Sequence, residues 1–118
     1  MATILIANER ADLRGRLLAP LRAQDHHVLE ASSGAEALAL ARLACPDLII
    51  GDLFMPLSTD RTLVHSIRTD ELLRQTLCIL CAPDEACSES IARAQAFEIP
   101  LVLLESIEPS QLVESVVS

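Results

Sequence analysis

The sequence contains no lysine, no tryptophan and no tyrosine, and phenylalanine occurs only at Phe54 and Phe97. Since hydrophobic residues still make up 51% of the chain, the core has to be built from Leu, Ile, Val and Ala. Such a core is typical of helices packed on a sheet and argues against an aromatic-rich sandwich. The chain also lacks a membrane-spanning apolar run and an N-terminal signal-peptide pattern, so we expect a soluble, cytoplasmic domain.

The charge of the chain is acidic and unevenly distributed. All nine cationic residues are arginines, and the formal net charge is −8. Residues 75–118 carry one arginine against seven acids, which is a net charge of −6. This distribution argues against a basic surface for DNA, RNA or anionic lipid, so we expect neither nucleic acid nor membrane as a partner. A protein that docks on the acidic half should present Arg or Lys.

Short apolar runs alternate along the whole chain with segments in which apolar residues recur at helical spacing. Short apolar runs predict five strands, at residues 3–7, 28–31, 48–51, 77–81 and 100–104. Helical spacing of apolar residues predicts a helix after each strand. We therefore expect residues 1–118 to form one doubly wound α/β domain, a five-stranded parallel sheet of flavodoxin-like order 2-1-3-4-5 with helices on both faces. Whether further domains follow residue 118 is left open.

Local signals predict where the first two helices begin and end. Asn8 is the expected N-cap of the first helix, and Pro20 is expected to kink or end it. The turn Ser32-Ser33-Gly34 predicts the start of the second helix, which Cys45-Pro46 should stop. The residues expected on the buried side of this helix are Ala37, Leu40, Ala41 and Ala44.

Cys78 and Cys81 form a C-x-x-C pair, so redox and zinc chemistry have to be considered. Their surroundings predict a strand, on which positions three apart face opposite sides about 10 Å apart, too far for a disulfide. Two buried structural thiols are therefore the preferred interpretation. No Cys and His residues have zinc-site spacing, and the histidines at positions 26, 27 and 65 receive no functional role.

Acidic side chains follow two strands that are neighbours in the predicted order. Strand one ends Ala7-Asn8-Glu9 and strand three is followed by Asp52, so these residues should meet at the switch point where open α/β sheets bind ligands. Glu9 and Asp52 then offer hard oxygen ligands of the kind that Mg²⁺ prefers. A carboxylate so placed could also accept a phosphoryl group. The alternative that Asp52 only starts a turn stays open at this point.

Over its whole length the sequence resembles the receiver domains of two-component response regulators. The resemblance lies in Ile4-Leu5-Ile6 with the polar pair after it, in the segment 46–56 (PDLIIGDLFMP) and in the five βα units. It implies that Asp52 is the phosphoacceptor and that Glu9, Asp52 and the carbonyl of Phe54 bind Mg²⁺, with Asn8 bound to it through water. It also implies a signalling module rather than an enzyme. The implied protein partners are a histidine kinase or an output domain, with self-association through the helix 4–strand 5–helix 5 face.

Several positions depart from the family pattern. Asn8 stands where the family usually has an acid, Cys81 where it has a hydroxyl residue, Glu105 where it has lysine, and Val102 where it has the aromatic switch residue. A carboxylate at Glu105 would oppose the phosphoryl charge that the lysine stabilises. We therefore expect a degenerate receiver with a weakened Mg²⁺ site and weak or no phosphorylation of Asp52, which acts mainly by protein–protein interaction. The alternative is a functional Mg²⁺-dependent phosphoacceptor that takes phosphate from a histidine kinase and regulates an output domain.

Three interpretations of a different class are less favoured. A flavin phosphate would need a Ser/Thr/Gly-rich loop after strand one, where Asn8-Glu9-Arg10 stands. A phosphohydrolase would need a cation and an acid–base partner near Asp52, and the sequence offers neither. A redox sensor at Cys81 is disfavoured because acidic surroundings oppose formation of the thiolate.

Overall fold

The structure is a computed structural model that describes residues 2–52, 62–82, 92 and 101–104, with the backbone alone for 80–82 and 101–104. Its strands form one parallel sheet in the order β2-β1-β3-β4-β5. These strands are β1 (Thr3–Ala7), β2 (His27–Ala31), β3 (Leu48–Gly51), β4 (Leu77–Ala82) and β5 (Leu101–Leu104). The described helices are α1 (Ala11–Ala23), α2 (Gly34–Ala44) and α3 (Leu63–Thr69). The predicted flavodoxin-like class is confirmed.

The two faces of the sheet bury separate apolar clusters. Ile4 and Ile6 of β1 point to one face, where they pack with Ile50 of β3 and Leu21 of α1. Leu5 of β1 points to the opposite face, where the cluster includes side chains from α2 and α3. This alternation is the period of two expected of a strand buried on both sides. The described helices therefore cover both faces, as predicted.

The start of α1 differs from the prediction. The N-cap residue is Arg10, which makes no side-chain capping hydrogen bond, so the assignment of Asn8 as N-cap is wrong. The side-chain oxygen of Asn8 instead accepts a 2.9 Å hydrogen bond from the backbone N–H of Arg10, in an Asx turn before the helix. The helix also does not end at Pro20 but continues to Ala23. Burial of Leu21, which is fully enclosed, stabilises this last turn despite the missing donor of Pro20.

The bounds of α2 follow the local signals that the sequence carries. The Ser33 hydroxyl caps the helix by accepting a hydrogen bond from the Glu36 N–H, while the Glu36 carboxylate accepts one from the N–H of Ser32, one residue before the cap. The helix ends at Cys45, which adopts a left-handed conformation with φ of 46°. Ala37 and Ala41 are buried as predicted, but Ala44 is exposed because the whole last turn, residues 42–44, faces solvent.

Helix α3 and strand β4 lie where the sequence predicts them. The Thr62 hydroxyl caps α3 by accepting a hydrogen bond from the His65 N–H, and Asp70 follows the last turn as its C-cap. Strand β4 continues one residue beyond the predicted Cys81. The predicted fourth and fifth helices lie outside the described residues. Among the described helices, none is long and apolar enough to cross a membrane.

Candidate functional site

The carboxyl ends of β1 and β3 lie side by side at one edge of the sheet. Ala7 pairs with Gly51 in the strand register, and the N–H of Asp52 donates a 2.9 Å hydrogen bond to the Ala7 carbonyl. Asp52 and Asn8 are half-buried, whereas Glu9 is exposed. The predicted convergence of the two strand ends is therefore confirmed, and it presents Asp52 beside the start of the loop that carries Asn8 and Glu9.

Gly51 allows this close approach of the two strands. Its φ is +145°, a backbone conformation that residues with a side chain rarely adopt, and an added Cβ would overlap the carbonyl oxygen of Ala7. Sequence analysis gave Gly51 no role beyond a place in an apolar strand. A glycine inside a buried strand often marks such an approach, so the signal was present in the sequence.

The side chain of Arg14 in α1 forms hydrogen bonds to the backbone of the β1–α1 loop, residues 8–10. Its guanidinium donates hydrogen bonds to the carbonyl oxygens of Asn8 at 2.8 Å and Glu9 at 3.3 Å. The same guanidinium forms a 3.3 Å ion pair with Glu30 of β2, and the Arg14 side chain is only 17% exposed. Sequence analysis missed this pair, because an arginine and a glutamate on successive elements form no recognisable pattern.

Arg14 reaches the loop from the side of β1 that faces β2. Because β2 and β3 flank β1 on opposite sides, Glu30 and Asp52 lie on opposite sides of that strand. The guanidinium is therefore directed toward Glu30 and the loop carbonyls. A second arginine near the loop, Arg10, pairs with Asp12 at 2.8 Å in an exposed bridge, and its hydrogen bond lowers the pKa of the Asp12 carboxyl.

The donors at this edge are few but of the right chemistry for a hard cation. In the described ranges, no three His, Cys, Asp or Glu side chains cluster closely enough to hold a metal ion. Mg²⁺ needs less than this, because it typically binds one or two carboxylates and completes its shell with water and phosphoryl oxygens. The carboxylates of Glu9 and Asp52 are ligands of this chemical type. The side-chain oxygen of Asn8 already accepts from Arg10, which leaves it one lone pair for a bound water.

The remaining predicted site residues lie partly or wholly beyond the described part of the chain. Phe54 and Glu105 are outside it. Cys81 lies in β4 with its backbone paired to Leu103 of β5, and its side chain is not described. Cys78 is fully buried, as the structural interpretation predicted, and burial raises the pKa of its thiol.

His26 has a structural contact that sequence analysis did not assign. The ring is half-buried at the end of the α1–β2 turn, and its Nδ1 atom accepts a 3.1 Å hydrogen bond from the N–H of Ala2. The Nε2 atom is buried and has no hydrogen-bond partner among the residues that the structure describes. His26 thus fixes the chain just before β1, at the edge of the sheet opposite to Asp52.

Two curated proteins are similar to parts of this chain. The sensor histidine kinase TmoS of Ectopseudomonas mendocina is 38% identical over 84 residues, which span 70% of this chain and 8% of TmoS. The protein PilH of Pseudomonas aeruginosa is 39% identical over 56 residues, which span 48% of this chain and 46% of PilH. The chain thus spans less than half the length of either relative. No family model matches the chain.

Solved structures extend the similarity to the whole chain. The REC domain of AraT, a response regulator from Geobacillus stearothermophilus, superposes with a TM-score of 0.81 at 28% identity, covering 98% of this chain and 90% of that one. The sheet order, with an aspartate after β3 and acidic and amide residues after β1, agrees with the arrangement expected from the resemblance to response regulators. Over 98% of its length the chain is thus similar to the receiver domain of a two-component response regulator.

Proposed function

We propose that this receiver domain acts mainly by protein–protein interaction and that Asp52 accepts a phosphoryl group weakly or not at all. The observation that carries the proposal is the complete absence of lysine from the sequence. No lysine side chain is therefore available to neutralise the charge that develops on phosphoryl oxygens. At a separation of about 6 Å and an effective dielectric near 20, one such charge pair contributes about 3 kcal/mol. Its loss corresponds to about two decades in rate or affinity.

The described contacts of the site support the same proposal. Asn8 supplies an amide where an acid would add a second negative charge, and its oxygen is engaged by the Arg10 N–H. The half-buried Arg14 is paired with Glu30 on the side of β1 away from Asp52. A cation held by the Glu9 and Asp52 carboxylates would add positive charge at this edge. The proposed remaining ligands are the Phe54 carbonyl and, through water, Asn8.

The roles proposed at the altered positions follow from their chemistry. Cys81 stands at the phosphoryl-contacting position, where a thiol is a weaker hydrogen-bond donor than a hydroxyl. Glu105 stands at the cation position and would repel the phosphoryl group. Bound Mg²⁺ would offset part of the missing positive charge when present. These substitutions would slow phosphoryl transfer to the Asp52 carboxylate without disturbing the fold.

The proposed partners are a histidine kinase or an output domain in the cytoplasm. TmoS, part of which is similar to this chain, is a sensor histidine kinase, which supports a partner from the same kind of signalling system. The proposed face for such contacts, or for self-association, is helix 4–strand 5–helix 5. Its acidic residues between positions 84 and 114 favour a partner that presents arginine or lysine.

A titration with beryllofluoride at a constant, saturating Mg²⁺ concentration, followed by amide NMR spectra, tests the proposal directly, because shifts caused by Mg²⁺ alone are then already present at the start. We expect no saturable shift of the Asp52 resonance or of its neighbours in β1 and β3. The matched variant Asp52→Asn, which keeps the size of the side chain, should show the same lack of response to beryllofluoride as the wild type. Saturable shifts that are lost in this variant would overturn the proposal.

Saturable beryllofluoride-dependent shifts that are lost in Asp52→Asn would favour a functional phosphoacceptor. One observation supports this candidate, namely the placement of Asp52 beside the β1–α1 loop with Glu9 exposed to a cation from solvent. Mass spectrometry after incubation with acetyl phosphate and Mg²⁺ would then find an adduct of one phosphoryl group on Asp52. The same incubation of Asp52→Asn should leave its mass unchanged.

A further inference from the structure

We propose that Arg14 is a positioning residue of the cation site, acting through the backbone of the β1–α1 loop, an inference that rests on the proposed Glu9–Asp52 site. Its guanidinium donates to the carbonyls of Asn8 and Glu9, the two loop residues that follow β1. These hydrogen bonds fix the peptide groups from which both side chains extend. Arg14 therefore sets the orientation of the Glu9 carboxylate without contacting the cation itself.

Glu30 keeps the guanidinium in this orientation. The Arg14 Nε atom lies 3.3 Å from the Glu30 carboxylate, and Glu30 pairs with Ile6 in the register of β2 and β1. The arginine thus connects α1, the loop and β2 through one planar group. An ammonium group has no planar fork and cannot serve two carbonyls and a carboxylate in the same geometry. The substitution Arg14→Lys would keep the positive charge but could not maintain the hydrogen bonds to both carbonyls and to Glu30.

A fixed loop matters here because the site has few ligands. Two carboxylates must be held together against their mutual repulsion, and Glu9 is exposed and otherwise free to turn toward solvent. Residues that orient metal ligands through hydrogen bonds typically change metal affinity by 10–100-fold when altered. The end of β1 is also fixed to β2 by the Asn8 N–H, which donates to the Ala31 carbonyl at 3.0 Å.

Two possible effects of Arg14 on cation affinity can be separated by experiment. Its positive charge would weaken cation binding, whereas its hydrogen bonds to the loop would strengthen it. A guanidinium near a divalent cation repels it, so an effect of charge alone would tighten cation binding in Arg14→Gln and leave Arg14→Lys unchanged. The positioning role predicts weaker binding in both variants, since neither side chain can hold both carbonyls and Glu30.

The experiment uses Mn²⁺ as the probe and measures paramagnetic broadening of the amide resonances of Asn8, Glu9 and Asp52 in the full chain. We expect saturable broadening in the wild type and about tenfold weaker binding in Arg14→Lys and Arg14→Gln. Glu30→Gln keeps one acceptor oxygen and the side-chain volume, so it should fold normally and weaken binding less. The matched controls Arg22→Lys and Arg22→Gln, exposed near the other end of α1, should leave the affinity unchanged.

Tighter binding in Arg14→Gln, or equal affinity in Arg14→Lys and the wild type, would overturn the positioning role. So would a wild type whose Asp52 resonance is unaffected by Mn²⁺. Either failure is distinguishable from failure of the proposed function, which is read from beryllofluoride-dependent shifts that require Asp52. Amide hydrogen exchange of Arg10, whose N–H donates to Asn8, should accelerate in the Arg14 variants and stay unchanged in the Arg22 controls.

Discussion

Gly51 lies against the backbone of Ala7 so closely that no side chain fits between them. A Cβ atom on Gly51 would overlap the Ala7 carbonyl oxygen, and the φ of +145° is one that only glycine adopts readily. The residue after this contact is Asp52, whose N–H donates to the same carbonyl. The position of the candidate phosphoacceptor is thus set by a glycine in the strand before it.

Substitution Gly51→Ala should therefore destabilise the domain. The strained backbone conformation alone costs about 1–3 kcal/mol, and separation of the β1 and β3 ends adds to this cost. Urea unfolding followed by circular dichroism measures the change. The matched control is Gly15→Ala in α1, where an added Cβ meets nothing within 4 Å. Because alanine is favoured in a helix interior, this control should gain about 0.5–1 kcal/mol. Equal effects at both positions would contradict the role of Gly51.

The opposite ends of β1 and β3 are joined by a reciprocal pair of hydrogen bonds. The Thr3 N–H donates to the Asp47 carboxylate at 2.9 Å, and the Asp47 N–H donates to the Thr3 carbonyl at 2.8 Å. We expect Asp47→Ala to lower the free energy of unfolding by about 1 kcal/mol, because one of these bonds is lost. Asp47→Asn keeps an acceptor oxygen and should lose clearly less in the same urea measurement. An asparagine variant as unstable as the alanine variant would argue against this hydrogen bond.

Asp70 should make stability depend on pH in the acid range. The Arg42 guanidinium, 2.7 Å away, and the Leu72 N–H lower the pKa of the Asp70 carboxyl below its ordinary value of 3.8. A lowered pKa in the folded state means that the contribution to stability is complete above about pH 4 and is lost as the pH falls through the folded-state pKa.

Thermal unfolding of the wild type and Asp70→Asn between pH 2 and 7 checks this sign. The stability difference between the two proteins should be largest near neutral pH and should shrink below pH 4. Asp25→Asn serves as the control, since Asp25 is exposed and lies in the α1–β2 turn. A wild-type advantage over Asp70→Asn that grows toward low pH would contradict the assignment.

The cysteines at positions 45 and 78 should differ strongly in reactivity. Cys45 is exposed at the end of α2, whereas Cys78 is buried and its thiol has a raised pKa. Iodoacetamide at pH 8 should modify Cys45 first, because the buried Cys78 can react only after the sheet has opened locally. An opening free energy of about 3 kcal/mol slows the reaction more than a hundredfold. Peptide mapping by mass spectrometry measures both rates, and similar rates would contradict the burial of Cys78.

Strong local signals predicted most of the described elements, and tertiary contacts account for what they missed. The apolar run of β1, the turn Ser32-Ser33-Gly34 and the stop at Cys45-Pro46 all act within a few residues, so the sequence alone carries them. Asn8 was misassigned as a cap because Asn also favours Asx turns, and only the observed hydrogen bond to Arg10 distinguishes the two. Ala44 matched the buried period of α2 but lies in an exposed last turn.

The candidate site was predictable where it depends on topology and unpredictable where it depends on side-chain geometry. Strand order brought Asp52 and the end of β1 together, and that order follows from the alternation of strands and helices. The pairing of Arg14 with Glu30 and two loop carbonyls depends on the crossing of α1 over the sheet, which a single sequence does not determine. His26 was set aside for the same reason, since its hydrogen bond joins it to Ala2, 24 positions earlier.

The pairing of β1 with β3 also determines at which stage of folding the candidate site forms. Thr3 and Asp47 are 44 positions apart, so this pairing closes a long loop that contains α1, β2 and α2. Contacts of such high sequence separation form late and slow the folding of a domain. During synthesis, the growing chain can complete β1, α1 and β2 while the edge that holds Asp52 does not yet exist. A ligand that requires Asp52 together with the β1–α1 loop would therefore bind only chains whose central strands have already paired.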